Sequence, residues 1–115
     1  ARSKVTRGGG EKGNGGTWNS GSLREKLRQA DLEGADLRNI NLSMAHVERG
    51  NLRGANLTGA NLKGCNLVEA NLDDATLDNA DLRWANLYEA QVTNAQLAQA
   101  KSLEGTILPD GERHE

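Results

Sequence analysis

From Ala30 to Gln99 the chain repeats itself every five residues without a break: ADLEG, ADLRN, INLSM, AHVER, GNLRG, ANLTG, ANLKG, CNLVE, ANLDD, ATLDN, ADLRW, ANLYE, AQVTN, AQLAQ. In these fourteen pentads the third position is Leu twelve times and otherwise Val47 or Val92. The first is Ala eleven times and otherwise Ile40, Gly50 or Cys65, and the second is mainly Asn or Asp. One long helix is rejected, because five residues advance a side chain by about 140° around an axis of 3.6 residues per turn and leave no apolar stripe. In an extended segment alternate residues share a face, so Ala and Leu can both point inward while the Asn or Asp between them points out. Five is odd, so a straight strand would reverse its faces at every repeat. The conflict disappears if positions four and five turn a corner, and those positions are rich in Gly, Asn, Asp, Arg, Lys and Glu, residues suited to turns and solvent. A chain that turns in one sense at every pentad and climbs by one strand spacing is a solenoid.

The repeated A(D/N)LXX pattern resembles the pentapeptide-repeat family, and the resemblance covers residues 30–99. It implies an all-β fold, a right-handed quadrilateral parallel β-helix with four pentads per coil. Fourteen pentads would then make about 3.5 coils, a tower about 17 Å high at ~4.8 Å per rung. Such a tower exposes unpaired backbone at each end and needs caps. Upstream, Ser22-Leu23-Arg24-Glu25 has capping-box spacing, so residues 22–29 read as an N-terminal cap. The cap is either a short helix or a degenerate pentad centred on Leu27. Downstream, Lys101-Ser102-Leu103 breaks the period by one residue, and residues 100–115, with the turn Pro109-Asp110-Gly111, read as a C-terminal cap and tail. Residues 1–21 hold GGGEKGNGG and read as a flexible, mildly basic arm.

Composition excludes most catalytic chemistry. A lone Cys65 rules out an internal disulfide framework, and His46 and His114 are too far apart for the usual transition-metal cluster. The glycine arm has no Gly-Lys-Ser/Thr ending, so it is not a phosphate loop. Asp73, Asp74 and Asp78 form the densest acidic spot but match no calcium-binding repeat, and read as a solvated face. Cys65 reads as a small buried hydrophobe, His46 as a surface histidine, and the stacked Asn residues as hydrogen-bonded ladders. No apolar run approaches the ~18 residues of a membrane span.

The informative outliers are large apolar residues at outward positions. Trp84 and Tyr88 lie on neighbouring pentads, Val68 shares a column with Tyr88, and Met44, Gly64 and Trp84 form another at twenty-residue spacing. These are read either as corner packing or as an interaction surface made of Met44, Val68, Trp84 and Tyr88. The resulting expectation is a non-enzymatic scaffold or protein-interaction module that takes a protein partner or a second copy. No cofactor, metal or small-molecule substrate is implied, and neither nucleic acid nor membrane is the expected partner. The alternative that the family resemblance implies is a DNA-mimicking inhibitor or protector of a type II topoisomerase. The expected location is cytoplasmic, and the chain starts without Met, as a fragment or processed product would.

The inward assignment predicts that Leu62→Lys, which puts a charge into a dry core, prevents folding. An unchanged circular dichroism spectrum and melting curve would refute it.

Overall fold

Parallel β-bridges join each second-position residue to the one twenty residues later: Asp31 to Asn51, Asp36 to Asn56, Asn41 to Asn61 and His46 to Asn66, then Asn51 to Asn71 and onward. Twenty residues are four pentads, so the chain builds four walls. The first carries 30–34, 50–54 and 70–74, the second 35–39, 55–59 and 75–79, the third 40–44, 60–64 and 80–84, and the fourth 45–49, 65–69 and 85–89. The computed structural model describes residues 27–115. The expectations for the basic arm and for most of the N-terminal cap fall on residues 1–26 and lie outside the described residues. Residues 27–29 follow pentad geometry: Leu27 is buried, its carbonyl accepts from the Ala30 N–H, and Gln29 has a left-handed φ of 59°.

The backbone hydrogen bonds explain the composition of the repeat. Taking one coil as the example, the Leu32 N–H donates to Asn51 O, the Gly34 N–H to Arg53 O, and the Asn51 N–H to Ala30 O, all between coils. The Ala35 N–H donates to Leu32 O across the corner at 3.0 Å. Thus positions one, two, three and five find backbone acceptors, and position four does not. A buried or half-buried N–H needs a partner, and the side chain two residues earlier supplies it. Asn41, Asn51, Asn56, Asn61, Asn66, Asn71 and Asn86 each accept through Oδ1 from the N–H two residues on, as do Asp31, Asp36 and Asp81. The expected ladder of amides is therefore mainly a stack of local turns. One amide, Asn51, does reach across coils, its Nδ2 lying 3.5 Å from Asp31 Oδ1.

Position five turns the corner with a positive φ throughout, from Gly34 at 68° to Glu89 at 60°. Gly and Asn tolerate this left-handed region best, which accounts for their frequency there. Inside, Leu and Ala fill the core: Leu37, Ala45, Val47, Ala55, Leu57, Ala60, Cys65, Ala70, Leu72, Ala80, Leu82, Ala85 and Leu87 are wholly shielded from solvent.

The uninterrupted run of pentads to residue 99 is corrected. Gln91 still pairs with Asn71, but Asn94–Ala98 form a short helix, α1, and Ala95, inward by the pattern, is exposed. The cause is local. Thr93 caps the helix: its Oγ1 accepts from the Gln96 N–H at 3.1 Å, and its own N–H donates to Gln96 Oε1 at 2.8 Å. Gln96, at the second position of AQLAQ, does not supply the short turn acceptor that Asn or Asp gives, while Ala, Gln and Leu favour helix. Gln96 also repairs the interruption. Its Nε2 donates to Leu72 O at 2.7 Å and to Ala75 O at 2.8 Å, the latter a bond that its backbone N–H would have made in a regular coil.

Nor does the tower stop at the helix. Ser102 pairs with Asp81 and Ile107 with Asn86, now twenty-one residues apart, so α1 absorbs the one-residue shift in period. KSLEG (101–105) and TILPD (106–110) are two further pentads on the third and fourth walls, with Leu103 and Leu108 packed against the core. Thr106, buried at a first position, donates from Oγ1 to Leu82 O at 2.6 Å. The chain then turns through Pro109-Asp110-Gly111 and runs back, pairing Arg113 antiparallel to Ile107. The His114 N–H donates to Thr106 O and the Gly105 N–H to His114 O, both at 2.7 Å, so this return segment covers part of the last edge.

Gln96→Ala, which leaves the Ala75 carbonyl unpaired, takes one of two donors from the Leu72 carbonyl and removes half the capping box, is expected to cost about 2 kcal/mol and to lower the melting temperature by about 10 °C. Gln96→Glu should cost more at neutral pH, because a carboxylate would face two carbonyl oxygens. A thermal melt of the Glu variant equal to wild type would show that the carbonyls do not depend on this side chain.

Candidate interaction surface

The four residues singled out by sequence frame one wall. Trp84, Asn86 and Tyr88 are successive outward residues of an extended segment whose Ala85 and Leu87 point into the core. Trp84 therefore stands at the corner where the fourth wall begins and Tyr88 where it ends. Met44 stands two coils from Trp84 on the first of these corners, and Val68 one coil from Tyr88 on the second. Among the described residues Met44, Trp84 and Tyr88 are the exposed large hydrophobics, at 65%, 52% and 44%. Val68 is half-buried.

Corner packing and exposure coexist here. Met44, Gly64, Trp84 and Gly105 form a column in which large and absent side chains alternate. A Cβ on Gly64 would overlap the Met44 sulfur, and a Cβ on Gly105 would overlap the Trp84 indole. The two glycines are therefore seats on which Met44 and Trp84 lie down across the next coil. Both large residues adopt the left-handed corner conformation, at φ 62° and 63°. Arg113 places its guanidinium carbon 5.6 Å from the centre of the Trp84 ring and donates to Gly105 O at 2.7 Å. Tyr88 lies against Gly111.

Sequence reasoning missed Ile107, Pro109 and Arg113, which extend this wall upward. The signal was available for the first two, since KSLEG and TILPD keep Leu at the third position once the extra residue is allowed for. Arg113 has no such marker, because it arrives by the antiparallel return.

The lower corner of the wall is charged. Arg28, Gln29, Glu48, Arg49, Val68 and Glu69 line a shallow depression of about 240 Å³. The Arg28 Nε donates to Glu48 Oε2 at 3.0 Å and the Arg49 Nε to Glu69 Oε1 at 2.7 Å, so its charges are matched in pairs one coil apart. Burial raises the Glu48 pKa, but its own backbone N–H and Arg28 outweigh that and hold the carboxyl below its ordinary range. In this pentad His46 occupies the second position, and the Glu48 side chain takes over the bond to the position-four N–H. His46 Nδ1 lies 3.8 Å from Glu48 Oε1, and both atoms are shielded from water without a hydrogen-bond partner.

Cys65 is fully enclosed, and burial first and Glu48 second push its thiol far above the ordinary range, so it has no nucleophilic role in the folded tower. Asp73 and Asp74 share one corner while Asp78 stands at the next. Among the described residues no group of three His, Cys, Asp or Glu side chains is placed to hold a metal ion, and no helix is long and apolar enough to cross a membrane.

The sequence pattern of the family described as pentapeptide repeats matches residues 26–64, 41–72 and 65–101, in eight copies. Among solved structures, the chain is similar to the pentapeptide repeat protein alr5209 from Nostoc, with 34% identity over 70% of this chain and 65% of that one, at a TM-score of 0.57. It is also similar to Rfr23 from the cyanobacterium Cyanothece, with 39% identity over 69% of this chain and 50% of that one, at a TM-score of 0.56. HetL from Nostoc, described as involved in heterocyst differentiation regulation, is 38% identical over 76% of this chain and 42% of its own length, at a TM-score of 0.46. The chain thus spans less than two thirds of each of these proteins. No curated protein matches it.

The third wall carries a testable ion pair. Arg83 donates to Asp81 from Nη2 to Oδ2 at 2.6 Å and from Nε to Oδ1 at 2.9 Å, and these bonds hold the Asp81 carboxyl below its ordinary range despite partial burial. A pKa lowered by folding means that the ionised form stabilises the fold. That contribution is complete above the unfolded value of about 3.9 and is lost as pH falls through the lower folded value. Asp81→Asn keeps the turn acceptor and removes the charge. It should be less stable than wild type at pH 7 by urea unfolding, with the difference shrinking as pH is lowered from about 5 to 2; a difference independent of pH would exclude the pair as its source.

Proposed function

Because the chain belongs to the pentapeptide repeat family, which generally serves structural and interaction roles, we propose that it acts without catalysis, as a rigid scaffold whose fourth wall holds a protein. The observation that carries this reading is the gathering of Met44, Trp84 and Tyr88, all exposed, on the two edges of one flat wall. Between those edges the wall presents Asn66, Asn86 and Ile107, uncharged side chains on backbone already paired within the tower. A surface of this kind gives up little hydration when covered and offers aromatic anchors at its margins. The walls converge no nucleophile, acid and base on a cleft, which a hydrolytic or transfer reaction would need.

A topoisomerase-directed duplex mimic would need a strongly acidic exterior. Here Asp36, Glu48, Glu69 and Asp81 are each bonded to an arginine, which favours the scaffold reading.

A photoreactive amino acid in place of Tyr88 is expected to give a discrete protein adduct in an extract of the source organism, and the same group in place of Asp78, at the corner that ends the second wall, is expected to give none. Equal labelling from both positions would sink the assignment of the fourth wall.

A further inference from the structure

We propose that the fourth wall is where two copies of this chain meet, side by side and pointing the same way, about a two-fold axis parallel to the tower. This rests on the reading of that wall as an interaction surface and adds its occupant.

The argument comes from the distribution of charge around the wall. Its upper part, from Asn66 through Asn86 to Ile107, carries no charged side chain along the centre. Charges stand on the two rims with opposite sign. On the Trp84 side Lys63 and Arg113 outnumber Glu104, Arg83 being held by Asp81, and on the Tyr88 side Glu89 and Asp110 stand beside the Arg49–Glu69 pair. A second copy turned end over end would set like rims against each other. A copy turned about the long axis of the tower sets each basic rim against an acidic one, at both edges of the contact. That rotation does not change height, so residues of one coil meet residues of the same coil. Trp84 faces Tyr88 of the second copy, Lys63 faces Glu69, Arg83 faces Glu89, and Asn86 and Ile107 meet their own counterparts on the axis.

The backbone gives independent support. Met44 and Trp84 hold the left-handed corner conformation, at φ 62° and 63°, in a column where Gly64 and Gly105 occupy the same corner. The tower does not need a bulky residue there, and a bulky residue in that region is strained. Covering a half-exposed indole would offset that strain. Size sets the strength. The wall rises through His46, Asn66, Asn86, Ile107 and Arg113 at ~4.8 Å per rung and is roughly 20 Å across. It thus offers roughly 450 Å² per copy, less than the ~800 Å² typical of long-lived complexes. The association is therefore weak and dependent on concentration.

Sedimentation equilibrium of the full chain from 10 to 500 µM, on the order of the range expected for a small interface, should show mass rising from 12.3 kDa toward twice that value. Lys63→Glu and Glu69→Lys should each weaken association at least fivefold, and the double variant, which restores opposite charges at that contact, should recover most of it. Both side chains are exposed, and circular dichroism checks that each variant is folded. Ile107→Cys should form a disulfide-linked dimer under mild oxidation, the native Cys65 being enclosed, while Asp78→Cys at the end of the second wall should not. A wild type that stays monomeric at the highest concentration overturns the proposal, as does association indifferent to the rim substitutions or cross-linking equal at 107 and 78. A monomer that still gives the Tyr88 photo-adduct with another protein overturns the second copy while keeping the interaction surface. A dimer whose Tyr88 adduct contains only this chain supports it.

Discussion

Each pentad leaves one backbone N–H, that of the fourth residue, without a carbonyl to bond. The oxygen of the Asn or Asp two residues earlier fills that gap, and the corner can close. Everything else about the tower depends on closing the corner reliably. If the N–H were left bare, the half-buried corner would carry an unsatisfied donor at every turn, each costing of the order of 1 to 3 kcal/mol. The outward second position is therefore a structural position, even though its side chain faces water. The pentad AHVER illustrates the same demand by its exception, since His46 offers no oxygen and Glu48 bonds its own N–H instead.

The helix at Asn94–Ala98 shows how a parallel stack tolerates a change of period. Coils are held by bonds between residues twenty apart, so one additional residue would misalign every later rung if it had to be absorbed in a wall. Placing it in a helix confines the shift to a single wall. Gln96 then supplies, by side chain, the donor that the Ala75 carbonyl has lost, and the third and fourth walls resume at Ser102 and Ile107 in the new register. Above them the antiparallel return pairs the last edge in part, which limits the open β-edge that a solenoid would otherwise present to other chains.

Much of this was legible in the sequence because the repeat acts twice, once through the core and once through the turn. Leucine at the third position and alanine at the first are enough to place the inner faces, and the twenty-residue spacing places Met44 below Gly64 and Val68 below Tyr88. What the pentad template hides is competition from helix. AQVTN and AQLAQ satisfy the inward pattern at Val92 and Leu97, yet Thr93 and Gln96 have capping-box spacing, and that local bond prevails over the repeat. The same template, stopped at Gln99, overlooked KSLEG and TILPD beyond the shift. It could not anticipate Arg113 over the Trp84 ring, because an antiparallel return places residues by the length of a turn and not by any period.

The column of Met44, Gly64, Trp84 and Gly105 gives this corner a parity, with large and absent side chains alternating from coil to coil. Where successive coils make the same bonds, one coil could be duplicated or deleted in evolution with the bonding pattern unchanged. At this corner a large side chain must be followed by glycine on the next coil, so doubling the coil that contains Trp84 would set two indoles against each other across one rung. Doubling the Gly64 coil would be harmless, and the shortest block that preserves the alternation when copied is two coils, or forty residues. Lengthening of such a tower by gene duplication should therefore copy a glycine coil alone or a whole two-coil block, and not the aromatic coil by itself, wherever a wall keeps an edge of this kind.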